Sequence, residues 1–204
     1  MRDARTYELL ADALSYPGEF YAEILRSASD KLKGSSPEIE ASFDRFARGL
    51  STKTLEELEE IYTGTFDVQA LCYLEIGYVL FGEDYKRGAF LVELNRLHRE
   101  HSHSTEGELA DHLPAVLRLL TKMKDLGERR ALIDEAVLPA LDKMLGHFGD
   151  PPEVDDKEDK RDKEFISHLK PKKNFIYREL LETLRGVLKA DHLSELKAKG
   201  EFHA

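Results

Sequence analysis

Apolar residues recur every three to four positions along most of the chain, and this period constrains the fold more than any other feature. Tyr7, Leu10, Ala11 and Leu14 form the first such stripe, with the spacing of one face of an α-helix. Similar stripes follow up to residue 148, and strict alternation of apolar and polar residues is absent. We therefore expect an all-α fold, a single-domain helical bundle of about eight to ten helices.

The length and the distribution of charge predict how the chain is divided. The 204 residues suffice for one hydrophobic core, so we expect one domain over residues 1–204. Residues 153–164 carry mixed charge with Val154 as their one apolar residue, too few to repay the entropy of ordering. We expect a mobile linker at about 151–164 and a C-terminal helix at about 174–198, where the helical period returns.

The run from Val68 to Phe81 is apolar on nearly every helical face. A helix of that kind is normally enclosed by other helices, so we expect this run to be the central and most buried helix, with Asp67 at its start. We also expect Thr54 to cap the preceding helix, Gly127 to close the helix that begins near Pro114, and Pro139 to cause a kink or a late start.

The net charge and the amino-acid composition exclude some classes of partner. Forty acidic residues against 30 basic ones give a net charge of −10, which disfavours binding to nucleic acid and to anionic membrane surfaces. No stretch approaches the ~20 apolar residues of a membrane span, and the N-terminus lacks the apolar core of a signal peptide. We expect a cytoplasmic protein without stable membrane insertion, with Cys72 as a core residue.

Three histidines lie close together at the predicted end of a helix, beside Glu100. Glu100 and His103 have the Glu-x-x-His spacing of half a carboxylate-bridged di-iron site, but the sequence contains no second copy. The spacing of His98, His101 and His103 spreads the imidazoles around a helix. We therefore expect a solvated helix end and no metal site.

Asp111 and His112 directly precede Pro114, a residue suited to the first turn of a helix. Glu108 lies four residues before His112, so both acids are expected to raise the pKa of the imidazole. Asp111 is also a candidate cap for that helix. A helical metal-dependent hydrolase that uses Asp111, His112 and the histidines at 98–103 remains an alternative, although its usual His-Asp order is reversed here.

Tyr62, Phe66 and Arg87 each have a structural interpretation from the sequence alone. The two aromatic residues lie one helical turn apart and can be plain core residues. Arg87 follows Glu83 and Asp84, which predicts a surface ion pair worth roughly 0 to 1 kcal/mol.

Taken together, three motifs resemble the cytoplasmic chaperones dedicated to molybdoenzymes. They are Tyr62-x-x-x-Phe66-Asp67, Gly82-x-x-x-Lys-Arg-Gly88 and Glu108-Leu-Ala-Asp-His-Leu-Pro114. The likeness covers residues 62–123 and is closest to the nitrate reductase assembly branch, with the trimethylamine-oxide and dimethyl-sulfoxide reductase chaperones as relatives. The tail Asn174-Phe-Ile-Tyr177 is also similar to that branch, with Phe175 where proline is usual.

The resemblance implies a chaperone that performs no chemistry and has no cofactor of its own. Such a chaperone would bind the N-terminal or leader segment of its client, the apo catalytic subunit of a molybdenum reductase. It would proofread this subunit before export or membrane attachment and support insertion of the client's molybdopterin cofactor. The resemblance also allows a homodimer. An unrelated assembly partner remains a second alternative. The implied partner-binding residues are Tyr62, Phe66, Asp67, Arg87, Glu108, Asp111, His112, Leu113 and Pro114. Among them, the acidic Asp67, Glu108 and Asp111 would face basic residues of the client. Tyr62, Phe66 and Leu113 would be apolar anchors.

Overall fold

The computed structural model describes residues 3–68, 70–148 and 175–198, and every regular element in these ranges is helical. The predicted all-α bundle is therefore confirmed. The elements are α1 Ala4–Ala13, α2 Tyr21–Leu32, α3 Pro37–Leu50, α4 Leu55–Phe66, α5 Ile76–Phe81, α6 Tyr85–Glu100, α7 Leu113–Lys122, α8 Leu126–Leu132, a π-helical turn Ile133–Val137, α9 Leu138–Phe148 and α10 Ile176–Ala198.

The helix starts follow local signals in the sequence. Thr54 accepts a hydrogen bond from the Glu57 N–H at 3.2 Å, and the Glu57 carboxylate accepts one from the Thr54 N–H at 2.9 Å. This capping box confirms the predicted start of α4. Asp3 caps α1 by accepting from the Arg5 N–H, and Pro37 occupies the first turn of α3, where a missing N–H costs nothing.

The most completely buried helix is α7. Its residues Leu113–Leu117, Leu119 and Leu120 are all buried, and α1 packs along it. Helix α10 packs mainly on α3 and also contacts α9, which confirms that a C-terminal helix returns to the body. Gly186 permits this packing, because a Cβ there would come within 2.8 Å of the Ile39 side chain.

The prediction of a central helix over Val68–Phe81 is wrong. Only Ile76–Phe81 is helical, and Val68 is 62% exposed. From Cys72 to Ile76 the even-numbered residues are buried while Tyr73 and Glu75 are more exposed, which is the alternation of an extended segment. The Ile76 N–H donates to the Asp111 carbonyl at 2.9 Å. The hydrogen-bond acceptor for this N–H is therefore a distant part of the chain, whereas in a continuous helix it would be a carbonyl of the preceding turn.

Two further predictions concern α7 to α9. Gly127 does not close α7, which ends at Lys122. It lies in the first turn of α8, where its N–H donates to the Asp125 carboxylate at 2.8 Å. Pro139 lies in the first turn of α9, directly after the π-helical turn Ile133–Val137. A π-helical turn is a common place for regular helical hydrogen bonding to be interrupted.

The predicted linker at 151–164 lies outside the described residues. Among the helices that the structure describes, none has both the length and the apolar character needed to cross a bilayer.

Because α7 is buried along its length, we expect truncation there to be far more costly than truncation on the exposed side of α6. Leu117→Ala should lower the free energy of unfolding by about 2–5 kcal/mol, since Leu117 is 0% exposed. Val92→Ala is the matched control, since Val92 is 69% exposed and its loss should change stability by at most about 0.5 kcal/mol. Denaturant titration of both variants measures the difference, and equal losses would contradict this account of the core.

Candidate functional site

A cleft of about 360 Å³ lies between the end of α4, the segment before α5, and the start of α6. We call it the Arg87 cleft. Three residues predicted from the sequence, Phe66, Asp67 and Arg87, line it together with four others that the sequence did not single out: Tyr73, Glu75, Tyr78 and Leu109.

One wall of the Arg87 cleft belongs to a cluster of aromatic rings. The Phe66 ring lies 5.2 Å from the Tyr62 ring and 4.8 Å from the Tyr177 ring, both edge-on. Such pairs each add about 0.5–1.5 kcal/mol to area burial. Tyr62 also contacts Tyr16 at 5.4 Å, and Tyr16 is 57% exposed. The cluster therefore joins the cleft to α10 and to an exposed ring after α1.

The position of the cleft depends on a short backbone pairing. The Ile76 N–H donates to the Asp111 carbonyl and the Leu113 N–H donates to the Leu74 carbonyl, both at 2.9 Å. Glu75 and His112 thereby form an isolated antiparallel bridge. This pairing, which we call the Asp111 junction, holds the segment before α5 against the start of α7.

The Asp111 side chain lies beneath the cleft. It is 0% exposed, and the Arg87 Nε lies 3.5 Å from its Oδ2. Within the described residues, neither carboxylate oxygen nor this Nε has a hydrogen-bond partner, so the pair is electrostatic. The Arg87 guanidinium lies 5.3 Å from the centre of the Tyr78 ring, a favourable cation–π distance.

Gly77 is required by this packing. A Cβ at that position would approach the Asp111 Oδ2 to 2.7 Å and the Phe90 ring to 2.9 Å, both closer than normal van der Waals contact. The missing side chain lets the first turn of α5 lie directly on the buried carboxylate.

Two expectations about these residues are wrong. Asp111 does not cap α7, because the N-cap position is His112, which makes no side-chain capping bond. Arg87 does not form an ordinary surface ion pair, because its partner carboxylate is fully buried. Both errors have the same cause. The backbone pairing with Ile76 places Asp111 in the protein interior, and this long-range contact cannot be predicted from the local sequence.

The prediction for the His112 imidazole is also wrong. Its pKa is lowered, not raised, because burial disfavours the charged ring more than the carboxylates of Glu108 and Glu75 favour it. The neutral imidazole is therefore stabilised beside the acidic groups.

The histidine segment is not a solvated helix end. His98 is 3% exposed. Its Nε2 lies 3.0 Å from the Ala110 carbonyl and its Nδ1 lies 2.8 Å from the His103 Nδ1. In a neutral pair His98 Nε2–H donates to the carbonyl and His103 Nδ1–H donates to His98. Burial lowers the pKa of both rings, that of His103 to about 4 with help from nearby positive charge.

This histidine pair therefore links the end of α6 to the loop that carries Glu108 and Asp111. In the part of the chain that the structure describes, no group of three or more His, Cys, Asp or Glu residues could hold a metal ion.

Carboxylates lie in and beside the cleft. Asp67 and Glu75 line it, as does Leu109, and Glu108 directly precedes Leu109 in the chain. Burial is the main cause that raises the pKa of Tyr62, and the negative charges of Glu108, Glu75 and Asp67 also contribute. Glu108 and Asp67 are exposed, and Leu109 beside them is 50% exposed. The mouth combines negative charge with exposed apolar surface.

Leu113 and Pro114 lie elsewhere. Both are buried in α7, and neither lines the Arg87 cleft. Tyr73 and Leu109, which line the cleft, were not predicted as site residues from the sequence. Tyr73 could have been found from the alternation between Cys72 and Ile76, whereas no local signal distinguishes Leu109.

Neither a protein-family model nor a curated protein matches this chain. The geometry of the cleft and the sequence motifs on it are therefore the basis of any functional interpretation.

The buried pair of Arg87 and Asp111 predicts strong coupling between two substitutions. Asp111→Ala should lower the free energy of unfolding by about 1–3 kcal/mol, because it leaves a partly buried guanidinium without its counter-charge. Adding Arg87→Ala should recover part of this loss, giving a coupling energy of about 0.5–3 kcal/mol in a double-mutant cycle.

Denaturant titration of the two single variants and the double variant measures this coupling energy. Lys33→Ala with Asp30→Ala is the matched control, because that pair is exposed on both sides and should show little coupling. Additive effects at Arg87 and Asp111 would contradict the account of the buried pair.

Proposed function

We propose that the protein is a cytoplasmic chaperone for a molybdenum reductase, and that the Arg87 cleft binds the N-terminal segment of the client's immature catalytic subunit. The observation that carries the proposal is the coincidence of two features. Three of the nine residues that the resemblance implies as partner-binding, Phe66, Asp67 and Arg87, line one cleft, and the mouth of that cleft combines carboxylates with exposed apolar side chains.

The geometry of the cleft suits an amphipathic helical guest. A helix laid in a groove buries apolar side chains at i, i+3, i+4 and i+7 and leaves its polar face outside. Tyr73 and Leu109 are 39% and 50% exposed and offer apolar contact. Asp67, Glu75 and Glu108 offer negative charge to Lys or Arg residues at the edge of the guest helix, which favours encounter with a basic segment.

The residues beneath the cleft have a supporting role in this proposal. The Asp111 junction and the histidine pair hold the mouth of the cleft in place, while Tyr62 packs against Phe66, one of the aromatic residues that line the cleft. The reaction chemistry belongs to the client, which carries the molybdopterin cofactor, and the chaperone acts before export or membrane attachment.

A helical hydrolase gains no support from the same geometry. His98 and His103 bind each other and His98 also binds the Ala110 carbonyl, so these ring nitrogens are engaged within the protein. Asp111 is fully buried against Arg87 and does not line the cleft.

A synthetic peptide tests the cleft without knowledge of the client. The probe is an 18-residue amphipathic helix with leucines on one face and lysines along its edge, labelled for fluorescence anisotropy. We expect it to bind and to lose affinity as salt rises. A peptide with glutamate in place of lysine should bind much more weakly.

Variants of the chaperone locate the binding. Glu108→Gln and Asp67→Asn should each lower the affinity about two- to fivefold, the change expected for an exposed ion pair worth up to about 1 kcal/mol. Leu109→Ser should lower it further by removing apolar contact. Asp30→Asn, an exposed acid on α2, is the control and should have no effect. Equal effects of Asp30→Asn and Glu108→Gln, or tighter binding of the glutamate peptide, would contradict the proposal.

A further inference from the structure

A second cleft, of about 460 Å³, lies between α2, α3 and the start of α4. We call it the basic groove. We propose that it binds a small anionic amphiphile, a molecule with an apolar body and a carboxylate or phosphate head. Tyr21, Leu25 and Leu50 line its floor, and Arg26, Arg48 and Lys53 line its mouth.

The floor of the basic groove is apolar. Tyr21, Leu25 and Leu50 are 2%, 7% and 3% exposed, so they present a packed surface. Ala22 and Ala47 line the groove with small side chains, which leaves space that larger residues would fill. An apolar body of a ligand would gain about 25 cal/mol for each Å² of apolar surface removed from water.

The side chains at the mouth carry positive charge. Arg26, Arg48 and Lys53 line the groove, and none of the described residues that line it carries a carboxylate. Lys53 lies 3.0 Å from Glu57. Arg26 and Arg48 instead donate their Nε hydrogens to backbone carbonyls of their own helices, and no carboxylate of the described residues forms a salt bridge with either guanidinium. Their charge is available to a ligand.

This local charge opposes that of the whole protein. The chain has a net charge of −10, whereas the described residues that line this apolar groove include three cations and no carboxylate. A guanidinium recognises carboxylate and phosphate with paired hydrogen bonds. The combination of that chemistry with an apolar floor specifies an amphiphile with a negative head.

The volume of the groove suits a small molecule. Its volume falls in the range of about 300–1,000 Å³ typical of small-molecule sites. The head would stay at the solvated mouth, where a charge need not be transferred into an apolar interior. The basic groove and the Arg87 cleft share no lining residue, so this inference does not rest on the proposed chaperone function.

Isothermal titration of the full-length protein with decanoate, kept below its micellar concentration, tests the proposal. Decyl phosphate is a second probe, and the tighter of the two assigns the head group. Decyltrimethylammonium, which has the same chain and the opposite charge, is the matched control. We expect one decanoate or decyl phosphate per protein chain and little binding of the cation.

Variants then place the bound molecule. Arg26→Gln with Arg48→Gln should weaken binding about tenfold or more, and Ala47→Phe should abolish it by filling the groove. Arg99→Gln removes an exposed cation from α6 and should leave affinity unchanged. A thermal melt of each variant verifies that it is folded. Ala47→Ser is the control for Ala47→Phe, because serine is close to alanine in size and should retain binding.

The proposal would be overturned by no binding of either anionic probe, by equal binding of the cationic probe, or by equal affinities of the wild type and the double arginine variant. Saturable binding of an acidic amphipathic peptide at the groove without binding of decanoate would likewise overturn it, because the occupant would then be a protein segment.

Discussion

A fully buried carboxylate has to be compensated, and the arrangement around Asp111 is built to do this. Its main chain pairs with Ile76, its side chain faces Arg87, and Gly77 leaves room for it beneath α5. These contacts bring together three parts of the chain that are separate in sequence. The segment before α5, the first turns of α6 and the start of α7 meet at this one residue, and the Arg87 cleft lies above them.

The histidine pair supports the same arrangement from the other side. A neutral His98 donates to Ala110, the residue before Asp111, and accepts from His103. Buried imidazoles are normally costly when charged, so both rings are favoured in the neutral form. These histidines were expected from the sequence to form a solvated helix end, and in the structure they instead fix the loop that carries Glu108 and Leu109.

The sequence predicted those features that depend on short-range spacing. The helical stripes outside Val68–Phe81, the cap at Thr54 and the helical character of the C-terminal segment were correct, because each is determined by residues within a few turns. The sequence did not predict the extended segment before α5, the burial of Asp111 or the lowered pKa of His112. Each of these depends on a contact between distant residues, such as Ile76 with Asp111, which periodicity does not contain.

The same distinction applies to the candidate site. Phe66, Asp67 and Arg87 were recognised by motif resemblance and line the cleft, while Leu113 was expected as a partner anchor and lies in the core. Tyr73, Glu75 and Leu109 complete the mouth only through tertiary folding. The chain thus presents two separate clefts of opposite charge, an acidic mouth at Arg87 and a basic groove between α2 and α3.

Photo-crosslinking in the native host tests the central claim most directly. A benzophenone amino acid at position 109, beside the acidic mouth, should capture the N-terminal segment of a molybdenum reductase catalytic subunit, identified by mass spectrometry of the crosslinked peptide. The same group at position 92, an exposed site on α6, should not capture it. Capture of the reductase segment equally at both positions, or of an unrelated protein at position 109, would contradict the account.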